Sequence, residues 1–200
     1  MKFCSHCGAS LVVKIPPGED RERHVCDQCG TIHYQNPKII AGCIPEWEDR
    51  ILLCRRAIEP RLGLWTLPAG FMELGETLEQ AATRETLEEA CAEVDELQLY
   101  TVLSLPHVDQ VHVFFRSRLI RPDFAPGVES LETALFHESE IPWEELAFST
   151  VRKTLRDFFQ DRRQGSFTVR VTHLPPATGA AKIRSTDTSR SGAGRNVAKT

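Results

Sequence analysis

The sequence predicts an α+β fold in which strands outnumber helices and a mixed sheet is packed as an α/β/α sandwich. Three observations support it: apolar runs typical of strands occur in two pairs, two segments have helical periodicity, and four cysteines form two close pairs ahead of the first long strand. With 200 residues, 41% hydrophobic and 26% charged, the chain is long enough for one core domain with small appendages.

The first element is an N-terminal module built on the sequences Cys4-Ser-His-Cys7 and Cys26-Asp-Gln-Cys29, which are eighteen residues apart. A glycine follows each pair directly and permits the tight turn that brings two thiolates to one ion. Four sulfurs would close a tetrahedral shell around structural Zn²⁺, so residues 1–35 are predicted to form a zinc ribbon. The alternative is four free or redox-active thiols. Seven cysteines cannot all pair, which argues against a disulfide framework.

The next segment, residues 36–173, is predicted to be the core domain. A capping box, Thr77-Leu-Glu-Gln80, marks the start of its first helix. The predicted strands are Lys38–Trp47, Arg50–Ala57, Leu97–Leu105, Val111–Ile120 and Thr133–His137, and the predicted helices are Thr77–Val94 and Ser149–Gln164. Cys43, Cys54 and Cys91 are expected to be packing residues.

Residues 174–200 form the last segment, which carries five basic residues against one aspartate, a net charge of +4. Large apolar residues are almost absent from it, so a disordered basic tail is predicted. The whole chain has a net charge of −4, which leaves −8 on the rest and argues against a general nucleic-acid binder. Neither a membrane span nor a signal peptide is recognisable, so a cytoplasmic location is predicted.

The most informative helix carries Glu85, Glu88 and Glu89 at positions i, i+3 and i+4, which lie on one helix face. Like charges at this spacing destabilise an isolated helix, so a cation is expected, and hard carboxylate oxygens suit Mg²⁺ or Mn²⁺. The alternative is a solvated helix face on which Arg84 pairs with Glu88. The glycine-containing loop from Gly70 to Glu76 favours the metal site, because its tight backbone can bring a carbonyl to the same ion.

Gly70 is followed by Glu76 after five intervening residues and by Arg84-Glu-Thr-Leu-Glu-Glu89 after seven more. This pattern resembles the Nudix box. The resemblance extends over about residues 38–165 and implies a Nudix-type sandwich that hydrolyses nucleoside diphosphates linked to another moiety, with Mg²⁺ or Mn²⁺. It implies that Glu85, Glu88 and Glu89 hold the catalytic metals and that Arg84 orients them. It also implies that Glu76 supports the loop and that the carbonyl of Ala69 is a further ligand.

Two positions differ from the Nudix pattern: Cys91 replaces the usual glycine and Thr86 the usual aliphatic residue. Without the glycine, the helix is expected to continue toward Val94 or to end less sharply. The general base stays open between Glu85, Glu89 and a carboxylate from a later loop, Glu129 or Glu132. The alternative for the last two is plain surface charge.

The substrate prediction rests on residues outside the box. Pro106, fifteen residues beyond Cys91, is typical of Nudix enzymes that act on ADP-ribose, whereas the SQPWPFP-type signature of NADH pyrophosphatases, which also have a ribbon, is missing. The whole arrangement most resembles zinc-ribbon Nudix proteins assigned to FAD and ADP-ribose hydrolysis. Hydrolysis of one or both to AMP and the other monophosphate is therefore predicted, with NADH as the alternative substrate.

Several residues are candidates for the substrate pocket. They are Arg55 and Arg56 for a phosphate, Trp65 and Phe71 for stacking on a base, and Gly70, Pro106, His107, Gln110 and Glu129 for other contacts. A competing class is a ribbon that binds nucleic acid or protein on an inactive Nudix scaffold. Residues 1–35 have a net charge of zero, so nucleic acid is not expected as a partner. The expected partner is a small nucleotide, and the ribbon could form a homodimer interface.

Overall fold

The computed structural model describes residues 1–176, so most of the predicted basic tail lies outside the described residues. The N-terminal module is a three-stranded antiparallel sheet of β1 (Val12–Lys14), β2 (Arg23–Val25) and β3 (Ile32–His33) in that order. One cysteine pair precedes β1 and the other lies between β2 and β3. After each pair a glycine with positive φ, Gly8 at 78° or Gly30 at 73°, closes the expected tight turn.

The rest of the described chain forms an eight-stranded mixed sheet with two helices. The elements are β4 (Lys38–Trp47), β5 (Arg50–Arg56), β6 (Trp65–Thr66), β7 (Ala69–Phe71), α1 (Leu78–Ala90), β8 (Val94–Leu105), β9 (Gln110–Leu119), β10 (Ser130–Phe136), α2 (Ser149–Gln164) and β11 (Arg170–His173). The strand order is β10-β5-β4-β9-β8-β11, with β6 on β5 and β7 on β4. The pairs β4/β9 and β8/β11 are parallel and the others antiparallel, which confirms the mixed sheet.

The two helices cover opposite faces of this sheet. Alternate residues of a strand point to opposite faces, so neighbours such as Cys43 and Ile44 belong to different cores. One core packs Ala81, Ala82 and Ala90 of α1 against Ala41, Cys43, Leu52, Cys54, Val113 and Phe115. The other packs Val151, Leu155, Phe158 and Phe159 of α2 against Ile44, Ile51, Leu53 and Phe114. This arrangement is the predicted α/β/α sandwich. No helix within residues 1–176 is long and apolar enough to cross a bilayer.

Helix α1 begins as predicted but ends earlier. The Thr77 hydroxyl accepts from Gln80 N at 3.2 Å, and the Gln80 side chain accepts from Thr77 N at 2.8 Å, which completes the capping box. Cys91 adopts the left-handed conformation with φ 47°, and its N–H donates to the carbonyl of Leu87 at 2.9 Å.

The expectation that α1 continues toward Val94 or ends gradually was therefore wrong. The chain must leave α1 by Val94 to begin β8, so Cys91 takes the backbone conformation that glycine normally provides. The prediction that Cys91 is packed was also wrong, because its side chain is exposed, whereas Cys43 and Cys54 are buried as expected.

Candidate functional site

The loop before α1 is held against the sheet by two close approaches that only glycine permits. Strand β7 pairs with β4, and Gly42 faces Ala69. A Cβ at Gly42 would lie 2.5 Å from the carbonyl oxygen of Pro68 and closer still to the Cβ of Ala69. A Cβ at Gly70 would overlap the carboxylate of Glu85. The β7 backbone is thus packed between β4 and the face of α1 that carries Glu85, Glu88 and Glu89, here called the glutamate face.

Arg84 joins this loop to the glutamate face. Its guanidinium donates to both carboxylate oxygens of Glu76, at 2.6 and 2.9 Å, and to the carbonyl of Phe71 at 3.1 Å. A further N–H group donates to Glu85 at 2.7 Å and to Glu88 at 3.0 Å. Hydrogen bonds from Arg84, and then from the backbone N–H of Glu73, lower the pKa of the Glu76 carboxyl to about 2. One side chain therefore orients three carboxylates, because the planar guanidinium offers five donors.

Glu89 is the most deeply buried carboxylate of this face, with 7% of its surface exposed. Burial raises the pKa of Glu89 to about 8, although its Oε2 accepts a hydrogen bond from Ala69 N at 3.2 Å. The charges of Glu85 and Glu129 raise it further, whereas that of Arg56 opposes them. Burial also raises the pKa of Glu85. A cation between these carboxylates would offset the cost of ionising them.

The chemistry of the donors fits Mg²⁺ or Mn²⁺, since they are carboxylate oxygens on one helix face beside a glycine backbone. The carboxylate oxygens do not meet at one point, however. Within residues 1–176, the four ribbon cysteines alone bring three or more ligand atoms of His, Cys, Asp or Glu within 4.8 Å of one another. Glu88 is 58% exposed and its carboxylate is held by Arg84. The N–H of Ala69 donates to the carboxylate of Glu89, so the Ala69 backbone lies beside that glutamate.

The structure separates the candidate substrate residues. The Arg56 guanidinium donates to the carbonyl of Pro60 at 2.9 Å and lies 5.2 Å from the ring centre of Phe148. Arg55 instead donates to the carbonyl of Gly63 at 2.9 Å and pairs with Glu132 at 3.5 Å.

Among the aromatic candidates, Trp65 is buried in the core against Phe136, so its ring is not available to a ligand. Phe71 is half exposed, with Lys38 Nζ 4.9 Å from its ring centre. Pro106 and His107 lie in the β8–β9 turn, and Gln110 begins β9. The β8–β9 turn adjoins the start of β4, because Lys38 pairs with Gln110 and its N–H donates to the carbonyl of Asp109 at 2.9 Å.

Sequence reasoning missed two glycines that shape this site, Gly42 and Gly127. A glycine inside a strand, such as Gly42, signals a close backbone approach and could have been found on that basis. Gly127 lies in the loop between β9 and β10, where its N–H donates to the carbonyl of Glu89 at 3.0 Å. No local pattern marks that contact.

The four ribbon cysteines have the geometry of a zinc site. The Sγ atoms of Cys4 and Cys29 are 3.7 Å apart and those of Cys7 and Cys26 are 3.4 Å apart. Tetrahedral Zn²⁺ with bonds of about 2.3 Å requires sulfurs about 3.8 Å apart, so the fit is good. The Nε2 of His33 lies 3.3 Å from Cys4 Sγ, a contact outside the metal ligands that the sequence did not predict.

The ribbon, the sandwich and the helix face that carries Glu85, Glu88 and Glu89 together are the features of the Nudix family. The family described as NUDIX domain matches residues 37–162, and the zinc-ribbon family described as Nudix N-terminal matches residues 2–35. The chain therefore belongs to the Nudix family. Nudix enzymes use Mg²⁺ or Mn²⁺, and the four-cysteine ribbon is a structural zinc site.

Individual relatives support this assignment. The chain is 32% identical over 145 residues to the NAD-capped RNA hydrolase NudC of Salmonella paratyphi C, and the match covers 70% of this chain and 53% of that protein. It thus spans about half the length of the curated relatives it matches. A NUDIX hydrolase crystal structure from Nitrosomonas europaea is 52% identical, with a TM-score of 0.84, and the match covers 87% of this chain and 99% of that one. An ADP-ribose pyrophosphatase from Streptococcus suis is 22% identical with a TM-score of 0.56, covering 70% of this chain and 100% of that one, which shows the shared fold alone.

Proposed function

We propose that this protein hydrolyses the diphosphate linkage of ADP-ribose, FAD or both, giving AMP and the other monophosphate. The observation that carries the chemistry is the approach of two glutamates to the β7 backbone: the Glu85 carboxylate packs against Gly70, and Glu89 Oε2 accepts from Ala69 N at 3.2 Å. An anionic diphosphate can bind to so acidic a surface only with divalent cations between them. The ADP half of the substrate rests on the sequence resemblance and on Pro106.

Each residue of the candidate site has a proposed role. Glu85, Glu88 and Glu89 hold the divalent metal, and the carbonyl of Ala69 is a further ligand. The metal, when bound, neutralises the diphosphate and lowers the pKa of a bound water. Attack of water on one phosphorus breaks the bridging P–O bond, and a carboxylate of Glu85, Glu89 or Glu129 accepts the proton of that water.

Other residues prepare the site without joining the reaction. Arg84 orients Glu85 and Glu88, and Glu76 fixes the loop through Arg84. Gly70 lets the β7 backbone approach the glutamates. We assign Arg56 to a substrate phosphate, which its fixed fork of donors suits. Arg55 already pairs with the carboxylate of Glu132, so we expect it to contribute less than Arg56 to phosphate binding.

A second candidate is the diphosphate of NADH or of NAD-capped RNA, favoured by the 32% identity to proteins named for the latter. If NAD-capped RNA is a substrate, the expectation that nucleic acid is not a partner is wrong. Against this candidate, the NADH-type signature after the box is replaced by Leu103-Ser-Leu-Pro-His-Val-Asp-Gln110.

The test compares kcat/KM for ADP-ribose, FAD, NADH, NAD-capped RNA and ATP with Mg²⁺, following AMP release by chromatography. We expect ADP-ribose or FAD to exceed the other substrates by at least about tenfold, a difference of about 1.4 kcal/mol in transition-state binding. Glu88→Gln should be inactive, whereas Glu79→Gln, on the same helix but outside the glutamate face, should retain activity. Turnover of triphosphates alone, or of capped RNA alone, would contradict the proposal.

A further inference from the structure

We propose that Gly127 is a positioning residue for the hydrolytic site, because it docks the loop of residues 124–129 on the last turn of α1 and thereby sets where Glu129 lies relative to the turn that carries Glu88 and Glu89. This inference rests on the proposed function and adds a residue outside the glutamate helix and its preceding loop.

The docking consists of backbone hydrogen bonds from the loop to the end of α1. Ala125 N donates to the carbonyl of Ala90 at 2.9 Å, and Gly127 N donates to the carbonyl of Glu89 at 3.0 Å. The last carbonyls of a helix have no partner within the helix, so the loop satisfies two of them. The residue that supplies the buried carboxylate, Glu89, is thus also the residue that anchors the loop.

The approach at Gly127 leaves no room for a side chain. A Cβ there would overlap the carbonyl oxygen of Glu88, and it would lie 2.8 Å from the carbonyl carbon of Glu88 and 3.2 Å from the Cα of Glu89. All three are backbone atoms of a helix, which cannot turn aside as a flexible side chain can. Any other residue must therefore move the loop away from α1 or distort the turn that carries Glu88 and Glu89.

A displacement at Gly127 would be passed on to Glu129. Only Val128 separates the two residues, Ser130 N donates to the carbonyl of Gly127 at 3.1 Å, and Ala57 N donates to the carbonyl of Glu129 at 2.8 Å. These bonds hold Glu129 between the docked loop and the start of β10. Glu129 is thereby held two residues from the Gly127 contact with α1 and next to the Ser130–Arg56 pair of β10 and β5.

The experiment compares Gly127→Ala with Gly165→Ala in the full-length, zinc-loaded protein. Gly165 ends the other helix with φ 67° and no atom within 4 Å of its missing Cβ, so alanine there strains the backbone without touching the site. We expect Gly127→Ala to lower kcat for ADP-ribose at least about tenfold, since misplacing a reacting group by about 1 Å is that costly. KM should stay within about twofold, and Mn²⁺ binding, measured by electron paramagnetic resonance, should weaken. Gly165→Ala should lower Tm and change neither kcat nor Mn²⁺ binding.

A double-mutant cycle with Glu129→Gln shows whether the effect passes through Glu129. If it does, adding Gly127→Ala to Glu129→Gln should cost less than about twofold in kcat; multiplicative losses would overturn the proposal. Should Gly127→Ala fail to fold, Phe124→Ala loosens the same loop by removing a ring packed on the α1 core, and the same cycle applies.

Two outcomes separate this inference from the proposed function. If the wild type hydrolyses ADP-ribose or FAD and Gly127→Ala keeps wild-type kcat and Mn²⁺ affinity, the positioning role alone is wrong. If the wild type hydrolyses neither, the proposed substrates are wrong, and the Mn²⁺ affinities of the two glycine variants then decide this inference.

Discussion

Replacing Glu89 by glutamine should stabilise the metal-free protein and abolish its Mg²⁺-dependent hydrolysis. Glutamine keeps the shape and an acceptor for the N–H of Ala69, but it removes a carboxylate that burial disfavours in the charged form. Stability and activity should therefore change in opposite directions, which a general packing defect would not produce.

The magnitude follows from the pKa of Glu89, about 8 in the folded protein against 4.5 for an ordinary glutamate. Between these two values the folded state keeps a proton that the unfolded chain has released, so the stability of metal-free wild type falls as pH rises from about 4.5 to about 8. The cost reaches about 3 kcal/mol at pH 7. For a domain of this size, its removal should raise Tm by roughly 10 °C.

The assay is urea unfolding at pH 5 and pH 8 after dialysis against Mg²⁺-free buffer without a chelator, so that the ribbon zinc stays bound. The matched control is Glu88→Gln, which alters a 58% exposed carboxylate of the same face and should change stability by less than about 0.5 kcal/mol. Both variants should lose hydrolysis. The reasoning is refuted if Glu89→Gln shows the wild-type decrease in stability between the two pH values, or if metal-free wild type becomes more stable as pH rises.

Three further predictions concern other parts of the molecule. Arg84→Lys keeps the charge but loses the fork that binds Glu76, so kcat should fall at least about tenfold with Tm little changed; wild-type kcat would disprove the orienting role. Gly42→Ala should lower the free energy of unfolding by about 1–3 kcal/mol through overlap with Ala69, measured by urea unfolding, and an unchanged midpoint would contradict the close approach. Cys26→Ser should lose the bound zinc, measured by elemental analysis, whereas Cys91→Ser should retain it; full zinc in the first variant would exclude the four-cysteine site.

The features that the sequence predicted correctly depend on residues close together in the chain. The capping box at Thr77, the shared face of Glu85 and Glu89 and the turn glycine of each cysteine pair follow from helix and turn geometry, which a few neighbouring residues determine. The apolar runs likewise located the long strands, whereas the division of their side chains between two cores is seen only in the structure.

What only the tertiary structure decided depends on backbones that meet across long separations in sequence. Helix α1 ends at Ala90 because β8 must already begin at Val94. In addition, a loop some thirty-five residues later donates to the last carbonyls of the helix. The roles of Gly42 and Gly127 arise from the same cause: a missing Cβ matters only where another segment occupies its space. Likewise, the burial of Glu89 is a property of the packed sandwich, although its place on the same face of α1 as Glu85 and Glu88 is already given by its position in the sequence.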